Sequence, residues 1–422
     1  MRILMLSSTF PYPPTRGGTE VRTFNLLKYL QHHHDITLVT QYNKDIVDAE
    51  VEELRKWVKE LILFPLPSQS NQTVGLSNIL AKGRRFVESF VKTTPPNVLH
   101  RYSPEIQSIV DDYVNNGKCD VITCEHSVNE IYIRPEFKQS VKTVVDIHSS
   151  VYGWIRDHLE MGASPNAWRD RLYLSLVLKR YEKRYCSKFS DIVVTTEDDR
   201  QEFLKLRPDL DIQVIPNGVD LDIFTPRISD PGGYKLIFVG AMDASHNIDA
   251  ASFFVIEVLP ELRRRYPQTT FIIAGARPTP EVLKLGEHPG VEVTGRVPSI
   301  AEYLHQSTVC VVPLRTGFGI KNKTLEAMSA GIPVVASERG LEGLAVDGVD
   351  IPLRALRANQ PIEYVDAISE LFANPQLRRE LSHNARQFIE NNFTWESAGK
   401  RYEEVCTGKS RIEKSKMQSE IS

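Results

Sequence analysis

The chain has 422 residues, 41% of them hydrophobic and 25% charged, and its formal net charge is -3. This length predicts two or three globular domains, and the nearly balanced charge gives no general attraction for nucleic acid, so we expect no nucleic-acid partner. The five cysteines are odd in number and show no metal-ligand spacing, which argues against a disulfide framework and a cysteine metal site. No secretory signal and no apolar run of about 18 residues is evident, so we expect a cytoplasmic protein without a membrane span.

Short apolar runs rich in β-branched residues alternate with longer amphipathic stretches. The first half contains six such runs, at 2–8, 35–40, 120–125, 142–148, 191–196 and 212–217. The second half contains five more, at 235–241, 270–276, 291–295, 308–314 and 332–337. Continuous apolar strands separated by helices are typical of parallel sheets covered on both faces. The pattern predicts an α/β protein with two Rossmann-like, doubly wound domains in series.

A cluster of prolines and glycines at 216–233 separates the two halves. We place an N-terminal domain at 1–215 and a C-terminal domain at 216–392. Residues 65–103 depart from the strand-helix rhythm and are predicted to elaborate the first domain. A last helix, at about 393–408, is predicted to begin with Thr394 as its N-cap, and residues 409–422 are predicted to be a disordered tail.

Three turns at the ends of predicted strands contain glycine, and ligands of open parallel sheets bind at this edge. At Gly17–Gly18, backbone N–H groups and a helix N-terminus could hold an anion, although a simple turn explains these glycines equally well. The second turn contains Gly240. The third, from Gly317 to Lys323, is strongly basic but lacks the ending of a phosphate-binding P-loop. The chain also lacks the dinucleotide-binding fingerprint, which disfavours an oxidoreductase.

Segments along nearly the whole chain resemble, in family order, the retaining glycosyltransferases of family 4. They include “STFPYPPTRGGTEVR”, “VVDIHSS”, “VIPNGVDLDIF”, “GVEVTGRVPSIAEYL”, “GFGIKNKTLEAMSAGIPVVAS” and “FTWESAGKRYEEV”. The donor loop is similar to the branch that reads Gly-x-Gly, a basic residue, Lys, and then Leu-Glu-Ala-Met. The resemblance implies the GT-B fold, in which two Rossmann-like domains face each other across a cleft. It assigns the acceptor to the first domain and the donor to the second, and implies that the last helix returns to the first domain.

The resemblance also implies a reaction. A hexosyl group would pass from a UDP- or GDP-sugar to a glycan or lipid-linked acceptor, with retention of configuration, in cell-surface polysaccharide or glycoconjugate synthesis. Fixed cations and glycine-lined backbone can stabilise the departing diphosphate without a metal, so we expect neither metal nor cofactor beyond the donor. The Asp-x-Asp patterns at Asp209–Asp211 and Asp220–Asp222 are therefore not expected to bind a metal ion.

Individual residues take their expected roles from the same resemblance. Glu326 would accept hydrogen bonds from the donor ribose, since a carboxylate suits a vicinal diol. Lys323 would bind the diphosphate, with Lys321 as a second cation. His148 would contact the transferred sugar and serve turnover. Each residue also has a structural alternative: a glutamate favoured by the helix dipole, solvated lysines, and a histidine that satisfies strand-end backbone groups. The other expected donor contacts are Gly17, Gly18, Gly240, Arg296, Val297, Gly317, Phe318, Gly319, Thr324 and Leu325.

The sequence departs from the family pattern in two places. The first of the family's two glutamates would fall on Phe318, and the usual arginine and lysine after the Gly240 strand are replaced by Met242, Asp243 and His246. An alternative therefore stays open, a catalytically degenerate protein that binds nucleotide sugars as the partner of an active transferase. If the enzyme is active, the donor sugar is predicted to be held by backbone groups or by the facing domain.

Three local features complete the predictions. Residues 82–92 and 168–188 mix apolar and basic side chains, which predicts peripheral contact with an anionic membrane unless the apolar stripes face the core. Gly218, at the hinge, is expected to supply a positive φ that lets the domains close. His32–His34 fall at the end of the first helix, where cations suit the dipole, and are expected to be structural.

Overall fold

The computed structural model describes residues 1–14, 17–67, 86–160, 164, 166–317 and 319–409. The chain forms two units. The first comprises Met1–Pro216 together with the chain from Ala398 onward, and the second comprises Asn217–Ser397. The first boundary therefore falls after residue 216 instead of 215, and the second falls inside the last helix instead of before it.

The first unit is built on one parallel sheet. Its seven strands are β1 (Arg2–Ser7), β2 (Asp35–Tyr42), β3 (Glu60–Pro65), β4 (Val121–Glu125), β5 (Lys142–Ile147), β6 (Asp191–Val194) and β7 (Ile212–Val214). They lie in the order β3-β2-β1-β4-β5-β6-β7, and every neighbouring pair is parallel. β4 and β6 are buried along their whole length, as continuous apolar strands covered on both faces should be.

Helices connect these strands. They are α1 (Gly18–Leu30), α2 (Asp48–Arg55), α3 (Pro96–Arg101), α4 (Pro104–Asn115), α5 (Val151–Glu160), α6 (Ala167–Tyr173), α7 (Lys179–Cys186) and α8 (Glu197–Leu206). A π-helical segment, Leu174–Leu178, joins α6 to α7, and 3-10 helices span Ser127–Tyr132 and Pro135–Gln139. Residues 86–92 are also helical. The predicted elaboration at 65–103 is therefore helical from residue 86, and residues 68–85 lie outside the described residues.

The second unit repeats this architecture with six strands. They are β8 (Lys235–Val239), β9 (Thr270–Ala274), β10 (Val291–Gly295), β11 (Val309–Val312), β12 (Val334–Ala336) and β13 (Leu356–Arg357), in the order β10-β9-β8-β11-β12-β13. All pairs are parallel. The helices are α9 (Ser245–Phe253), α10 (Leu259–Arg265), α11 (Pro280–Leu285), α12 (Ile300–His305), α13 (Asn322–Ser329), α14 (Pro361–Ala373) and α15 (Pro375–Asn392), with a π-helical segment at Phe254–Val258. One large apolar cluster forms the core of this unit.

All eleven predicted apolar runs form strands of these two sheets, so the predicted α/β architecture of two parallel-sheet domains is confirmed. Two strands were not predicted, β3 and β13. β3 lies at the sheet edge and runs directly into a proline-rich segment, which reads as a loop. β13 is only two residues long and carries almost no periodic signal.

The last helix, α16 (Trp395–Thr407), begins in the second unit and continues into the first. Thr394 caps it as predicted, since its Oγ1 accepts a hydrogen bond from the Ser397 N–H at 3.1 Å. Further along, the Tyr402 hydroxyl donates to buried Glu125 at 2.9 Å. His34 lies 2.8 Å from Glu403, so the histidine run ties α1 to this helix and is structural. Residues 410–422, most of the predicted tail, lie outside the described residues.

The prediction for Gly218 was wrong. Its φ is not positive, unlike that of twelve other glycines among the residues that the structure describes. A Cβ on Gly218 would lie 2.3 Å from the Trp395 nitrogen and 2.6 Å from the Thr394 carbonyl carbon. The neighbouring Val219 N–H donates to the Phe393 carbonyl at 2.8 Å. Glycine is needed here because two backbone segments of the second unit touch, and not because the chain turns.

Candidate donor and active site

The second unit brings Gly240, Asn247 and Lys323 together near the carboxyl end of β8. Gly240 follows that strand, Asn247 lies in the first turn of α9, and Lys323 lies in the first turn of α13. The Lys323 ammonium donates to Asn247 Oδ1, and Asn247 Nδ2 donates to the Ala241 carbonyl at 2.8 Å. A Cβ on Gly240 would lie 2.7 Å from Asn247 Nδ2 and 2.9 Å from Lys323 Nζ. A larger residue at position 240 would therefore displace both side chains.

Lys323 is a partly buried cation. Its Nζ lies 4.4 Å from the centroid of the Phe238 ring, a cation–π contact. Among the residues that the structure describes, no carboxylate oxygen lies within 4.0 Å of this ammonium. Burial lowers the pKa of Lys323 to about 7, although the neighbouring Cys310 and Glu326 oppose the shift. The ammonium is thus held by an amide and an aromatic face, and its charge is available to an anionic ligand.

Glu326 lies three residues after Lys323 on α13 and is also partly buried. Burial raises the pKa of Glu326 to about 7, and the Lys323 charge opposes this shift. Residues three apart share a face of a helix, so this face presents an ammonium and a carboxyl group together. An ammonium suits a phosphate, and a carboxylate suits a pair of hydroxyls.

The glycine-rich turn before α13 has the backbone conformation that glycine favours. Gly317 and Gly319 have φ values of 105° and 73°. A Cβ on Gly317 would lie 3.8 Å from Cγ of His246, so α9 and this turn are close neighbours. Phe318, the position of the missing carboxylate, lies outside the described residues.

Lys321 has different surroundings from Lys323. Its Nζ lies 3.0 Å from Glu342 Oε2 and donates to the Gly319 carbonyl, and both the Lys321 and Glu342 side chains are only 9% exposed. A diphosphate would have to compete with this buried ion pair. Lys321 therefore has an evident structural role, and its predicted donor contact stays a prediction.

Thr324 and Leu325 point their side chains into the protein. Thr324 Oγ1 donates to the Gly340 carbonyl at 2.8 Å, and Leu325 is part of the apolar core. Any donor contact by these two residues would use their backbone. At the end of β10, Arg296 is exposed and Val297 is partly buried, after Gly295 with its φ of 67°. Arg296 is therefore accessible to a ligand, and its contact stays a prediction.

The loop after Gly240 contains none of the cations expected from the family pattern. Met242 is fully buried, and its N–H donates to the Ala276 carbonyl at 2.8 Å. Asp243 forms an ion pair with Arg277 at 2.6 Å, and the pKa of Asp243 is lowered by this hydrogen bond. The loop is thus tied to the segment after β9.

In the first unit, His148 follows β5 and is surrounded by polar groups. Its Nδ1 lies 3.3 Å from Thr19 Oγ1, and its Nε2 lies 3.4 Å from Asp146 Oδ2. Arg22 holds Asp146 by two contacts of 2.6 and 2.8 Å, and both side chains are buried. Burial alone would raise the pKa of Asp146, but Arg22, together with the contact to His148, outweighs burial and holds that pKa below its usual range. The ionised Arg22–Asp146 pair therefore keeps a charged carboxylate beside His148.

The turn at Gly17–Gly18 forms the start of α1, which also carries Thr19 toward His148. Gly17 is the N-cap residue in an extended conformation, and its carbonyl accepts the Val21 N–H at 3.0 Å. A Cβ on Gly18 would meet nothing within 4 Å. A Cβ on Gly17, however, would lie 2.7 Å from Glu20 Oε2, so a carboxylate lies beside this turn, and its predicted anion contact stays a prediction.

Comparison with known proteins agrees with this architecture. Residues 16–223 match the family model described as Glycosyltransferase Family 4, and residues 233–374 match the model described as Glycosyl transferases group 1. The chain belongs to glycosyltransferase family 4.

Relatives of this glycosyltransferase span most of its length. The GDP-mannose-dependent alpha-(1-6)-phosphatidylinositol monomannoside mannosyltransferase of Mycolicibacterium smegmatis is 24% identical over 302 residues, which is 64% of this chain and 70% of that protein. Among solved structures, Anabaena HepE in complex with UDP matches with a TM-score of 0.62 at 16% identity, over 97% of this chain and all of that one. The sucrose-phosphate synthase of Thermosynechococcus elongatus matches with a TM-score of 0.66 at 18% identity, over 98% and 100% of the two chains. The fold of the glycosyltransferase is GT-B.

Sequence reasoning missed two polar residues of the first unit of this glycosyltransferase. The His126 ring lies 5.2 Å from the His148 ring, and burial, reinforced by the His148 and Arg101 charges, lowers the pKa of His126 to about 3. Glu125, beside it, is fully buried, and burial together with the Asp146 charge raises its pKa. A signal existed, because “ITCEH” and “VVDIH” both end an apolar strand with a histidine.

Two general properties of the glycosyltransferase follow from the described part of the chain. Within it, no three His, Cys, Asp or Glu side chains are grouped as metal ligands. Of the two Asp-x-Asp patterns, Asp209 pairs with Arg207, and Asp220 accepts the Asp222 N–H at 3.0 Å. None of the helices described here is both long and apolar enough to cross a membrane.

Proposed function

We propose that this glycosyltransferase moves a hexosyl group from a UDP- or GDP-sugar to a glycan or lipid-linked acceptor, with retention of configuration and without a metal ion. The observation that carries the proposal is Lys323, a partly buried ammonium without a carboxylate partner among the described residues, on the same helix face as Glu326. A departing diphosphate needs such a cation, and the ribose of the same donor needs the carboxylate.

Two named proteins support a nucleotide-sugar donor. The mycobacterial relative is described as GDP-mannose-dependent, and HepE was solved with UDP and with UDP-glucose. Both donors share the diphosphate and the ribose, which are the parts that Lys323 and Glu326 would bind. We therefore assign the shared part of the donor to these two residues and leave the base and the sugar to experiment.

The proposed transfer is written so that atoms and charges balance. The bond between the sugar C1 and the diphosphate oxygen breaks, and the acceptor oxygen forms its bond to C1 on the same face. The acceptor proton passes to the departing phosphate oxygen, whose developing charge Lys323 stabilises. We assign to His148 the contact with the transferred sugar that the family resemblance implies. We expect His148→Ala to lower turnover at least about tenfold with the affinity for UDP or GDP unchanged, because this histidine serves the sugar and not the nucleotide.

The direct test incubates the protein with UDP- and GDP-hexoses, with and without a chelator, and follows nucleotide release. We expect slow donor hydrolysis with one nucleotide, unaffected by the chelator, and an α-anomeric product from an α-linked donor by NMR. We also expect Lys323→Ala to lower turnover more than about tenfold, since a charge-assisted contact to phosphate is lost. Nucleotide binding without any turnover would instead support a degenerate partner of another transferase. No binding of either nucleotide would refute both functions.

We also propose that the first unit contacts an anionic membrane surface. In the described part of the two predicted stretches, Val91 is 78% exposed and Trp168 is 73% exposed, and Val87 and Leu176 are also exposed. Exposed basic residues accompany them on α6 and α7, namely Arg169, Arg171, Lys179, Arg180, Lys183 and Arg184. Residues 82–85 lie outside the described residues. Apolar and basic groups exposed together suit the headgroup region of such a surface.

Sedimentation with phosphatidylserine vesicles at low salt tests this contact. We expect the wild type to bind and the double variant Val91→Asp/Trp168→Asp to bind much more weakly, because each carboxylate opposes insertion. Exposed Ile256, in the second unit, provides a control as Ile256→Asp. Equal sedimentation with and without vesicles would dispose of the membrane proposal while leaving the transferase proposal intact.

A further inference from the structure

Asn247 contacts the proposed diphosphate-binding lysine, and neither the sequence pattern nor the family resemblance singled it out. The residue is 3% exposed and lies in the first turn of α9. Its N–H donates to the Ala244 carbonyl at 2.9 Å, so its backbone is fixed by the turn. Its side chain reaches back to the Gly240 loop and forward to Lys323.

The orientation of the Asn247 amide follows from its two contacts. One end faces the Ala241 carbonyl, which can only accept a hydrogen bond, so this end must be the NH2 group. The other end faces the Lys323 ammonium, which can only donate, so this end must be the oxygen. If the amide were flipped, its NH2 group would face the Lys323 ammonium and its oxygen would face the Ala241 carbonyl, so neither hydrogen bond could form. The arrangement is therefore unique, and it holds Lys323 in one position.

A neutral amide leaves the lysine charge in place, whereas a carboxylate would neutralise it. Lys321, two residues earlier, shows the other case, because Glu342 forms a buried ion pair with it. Asn247 directs the Lys323 ammonium without offering a countercharge. Gly240 makes the arrangement sterically feasible, since a Cβ there would lie within 3 Å of both side chains.

We propose that Asn247 is a positioning residue, which aims the Lys323 ammonium at the donor diphosphate while leaving its charge uncompensated. The proposal rests on the proposed function of Lys323. It explains why an asparagine and not an aspartate stands there, because an aspartate would compete with the diphosphate for the same ammonium.

Binding of UDP and GDP by calorimetry, between about pH 6 and 9, tests the inference on the full chain. The groups that act on Lys323 are Glu326 on its own helix, Cys310 on β11 and Lys321. Affinity should fall at alkaline pH as Lys323 loses its proton. We expect Asn247→Asp to weaken binding at least about tenfold near neutrality, and to move this alkaline fall to higher pH because the new carboxylate stabilises the ammonium. A mere loss of structure would not shift the fall in that direction.

Asn247→Ala provides a second variant. It removes the acceptor without adding charge, so we expect weaker binding with the alkaline fall at the wild-type pH or lower. The matched control is Asn384→Asp, because the Asn384 amide also donates to a backbone carbonyl, that of Leu353 at 3.0 Å, in the same unit. It should bind like the wild type, and thermal melts should show that all variants are folded.

Two failures are distinguishable in this experiment. If Lys323→Ala binds both nucleotides like the wild type, the proposed donor function of Lys323 fails, and the role of Asn247 fails with it. If Lys323→Ala loses affinity but both Asn247 variants keep the wild-type affinity and pH profile, the proposed function stands and the positioning role is overturned.

Discussion

Lys321 and Lys323 belong to the same basic turn, but their surroundings in the structure differ. The sequence favoured Lys323 by family resemblance and could not show that Lys321 lies against Glu342, because that glutamate comes 21 residues later and belongs to another loop. The role of Asn247 could not be predicted either, since it depends on a contact with a residue 76 positions away in the sequence. Predicting such contacts requires the packing of α9 and α13 in three dimensions. The sequence therefore indicated the glycines, Lys323 and Glu326 of the candidate site, but neither the amide that contacts Lys323 nor the ion pair that holds Lys321.

The pH dependence of donor binding should report on Glu326. Its pKa is about 7, so the carboxylate that accepts hydroxyl protons forms as pH rises through that value. We expect the wild-type affinity for UDP or GDP to pass through a maximum near pH 7, rising below it as Glu326 ionises and falling above it as Lys323 loses its proton. Glu326→Gln should lose the rise on the acidic side and bind about tenfold more weakly. Calorimetry measures both, with exposed Glu370→Gln as the control. An unchanged affinity would show that Glu326 does not contact the ribose.

Lys323 should also lower the stability of the ligand-free protein. Its folded pKa of about 7 lies below the unfolded value, so the folded state resists charging of this group. The resulting loss in the free energy of unfolding is large near neutral pH and disappears as pH rises toward the pKa of the lysine in the unfolded chain. We expect Lys323→Met to raise the Tm of the unit by at least about 2–4 °C near neutral pH, the shift that 1 kcal/mol produces in a unit of this size.

Differential scanning calorimetry measures this effect, and its pH dependence is the decisive part. The gain in Tm of the Lys323→Met protein should shrink as the buffer becomes alkaline. Lys284→Met, at an exposed position of α11, should change Tm little at any pH. A destabilised Lys323→Met protein would mean that the ammonium contributes net stability through Asn247 and Phe238.

At the scale of elements, the apolar runs predicted the central strands because these are buried on both faces and must be apolar throughout. They also predicted the edge strands β7 and β10, which are only partly buried. β3 and β13 were not predicted, because an edge strand beside prolines and a two-residue strand show little of this continuous apolar pattern. Glycines were a weaker guide. The sequence marks where glycine occurs but not whether the reason is a positive φ, as at Gly317, or a close backbone approach, as at Gly218.

Gly218→Ala should destabilise the second unit. The added methyl group would overlap the backbone of Trp395 and Thr394, and backbone cannot move aside as a flexible side chain does. We expect a loss of about 1–3 kcal/mol in the free energy of unfolding, measured by urea titration. Gly18→Ala is the control, because its Cβ would meet nothing within 4 Å and it lies at the start of a helix. If Gly218→Ala were as stable as the wild type, the backbone at the start of α16 would be able to move aside at little cost in free energy.

At the scale of the whole molecule, the family resemblance predicted the return of the last helix to the first domain, and the contacts of α16 show how it is held. Gly399 lies against the Tyr29 ring, Arg401 donates to the Val214 carbonyl, and Tyr402 reaches Glu125. Composition and periodicity alone could not have placed this helix, since its amphipathic pattern fits either unit. The folding of the first unit therefore depends on residues at the far end of the chain.

Tyr402→Phe tests this dependence at one hydroxyl group. The variant leaves buried Glu125 without its 2.9 Å donor, and a buried acceptor that loses its partner costs about 1–3 kcal/mol. The matched control is Tyr113→Phe, which removes a tyrosine–glutamate hydrogen bond to Glu60 that lies in an exposed setting. Hydrogen exchange of β4 and β5 should accelerate in Tyr402→Phe and stay unchanged in Tyr113→Phe. The affinity for UDP or GDP, which we assign to the second unit, should stay at the wild-type value in both. Equal exchange in the two variants would show that the Tyr402 hydroxyl does not contribute to holding α16.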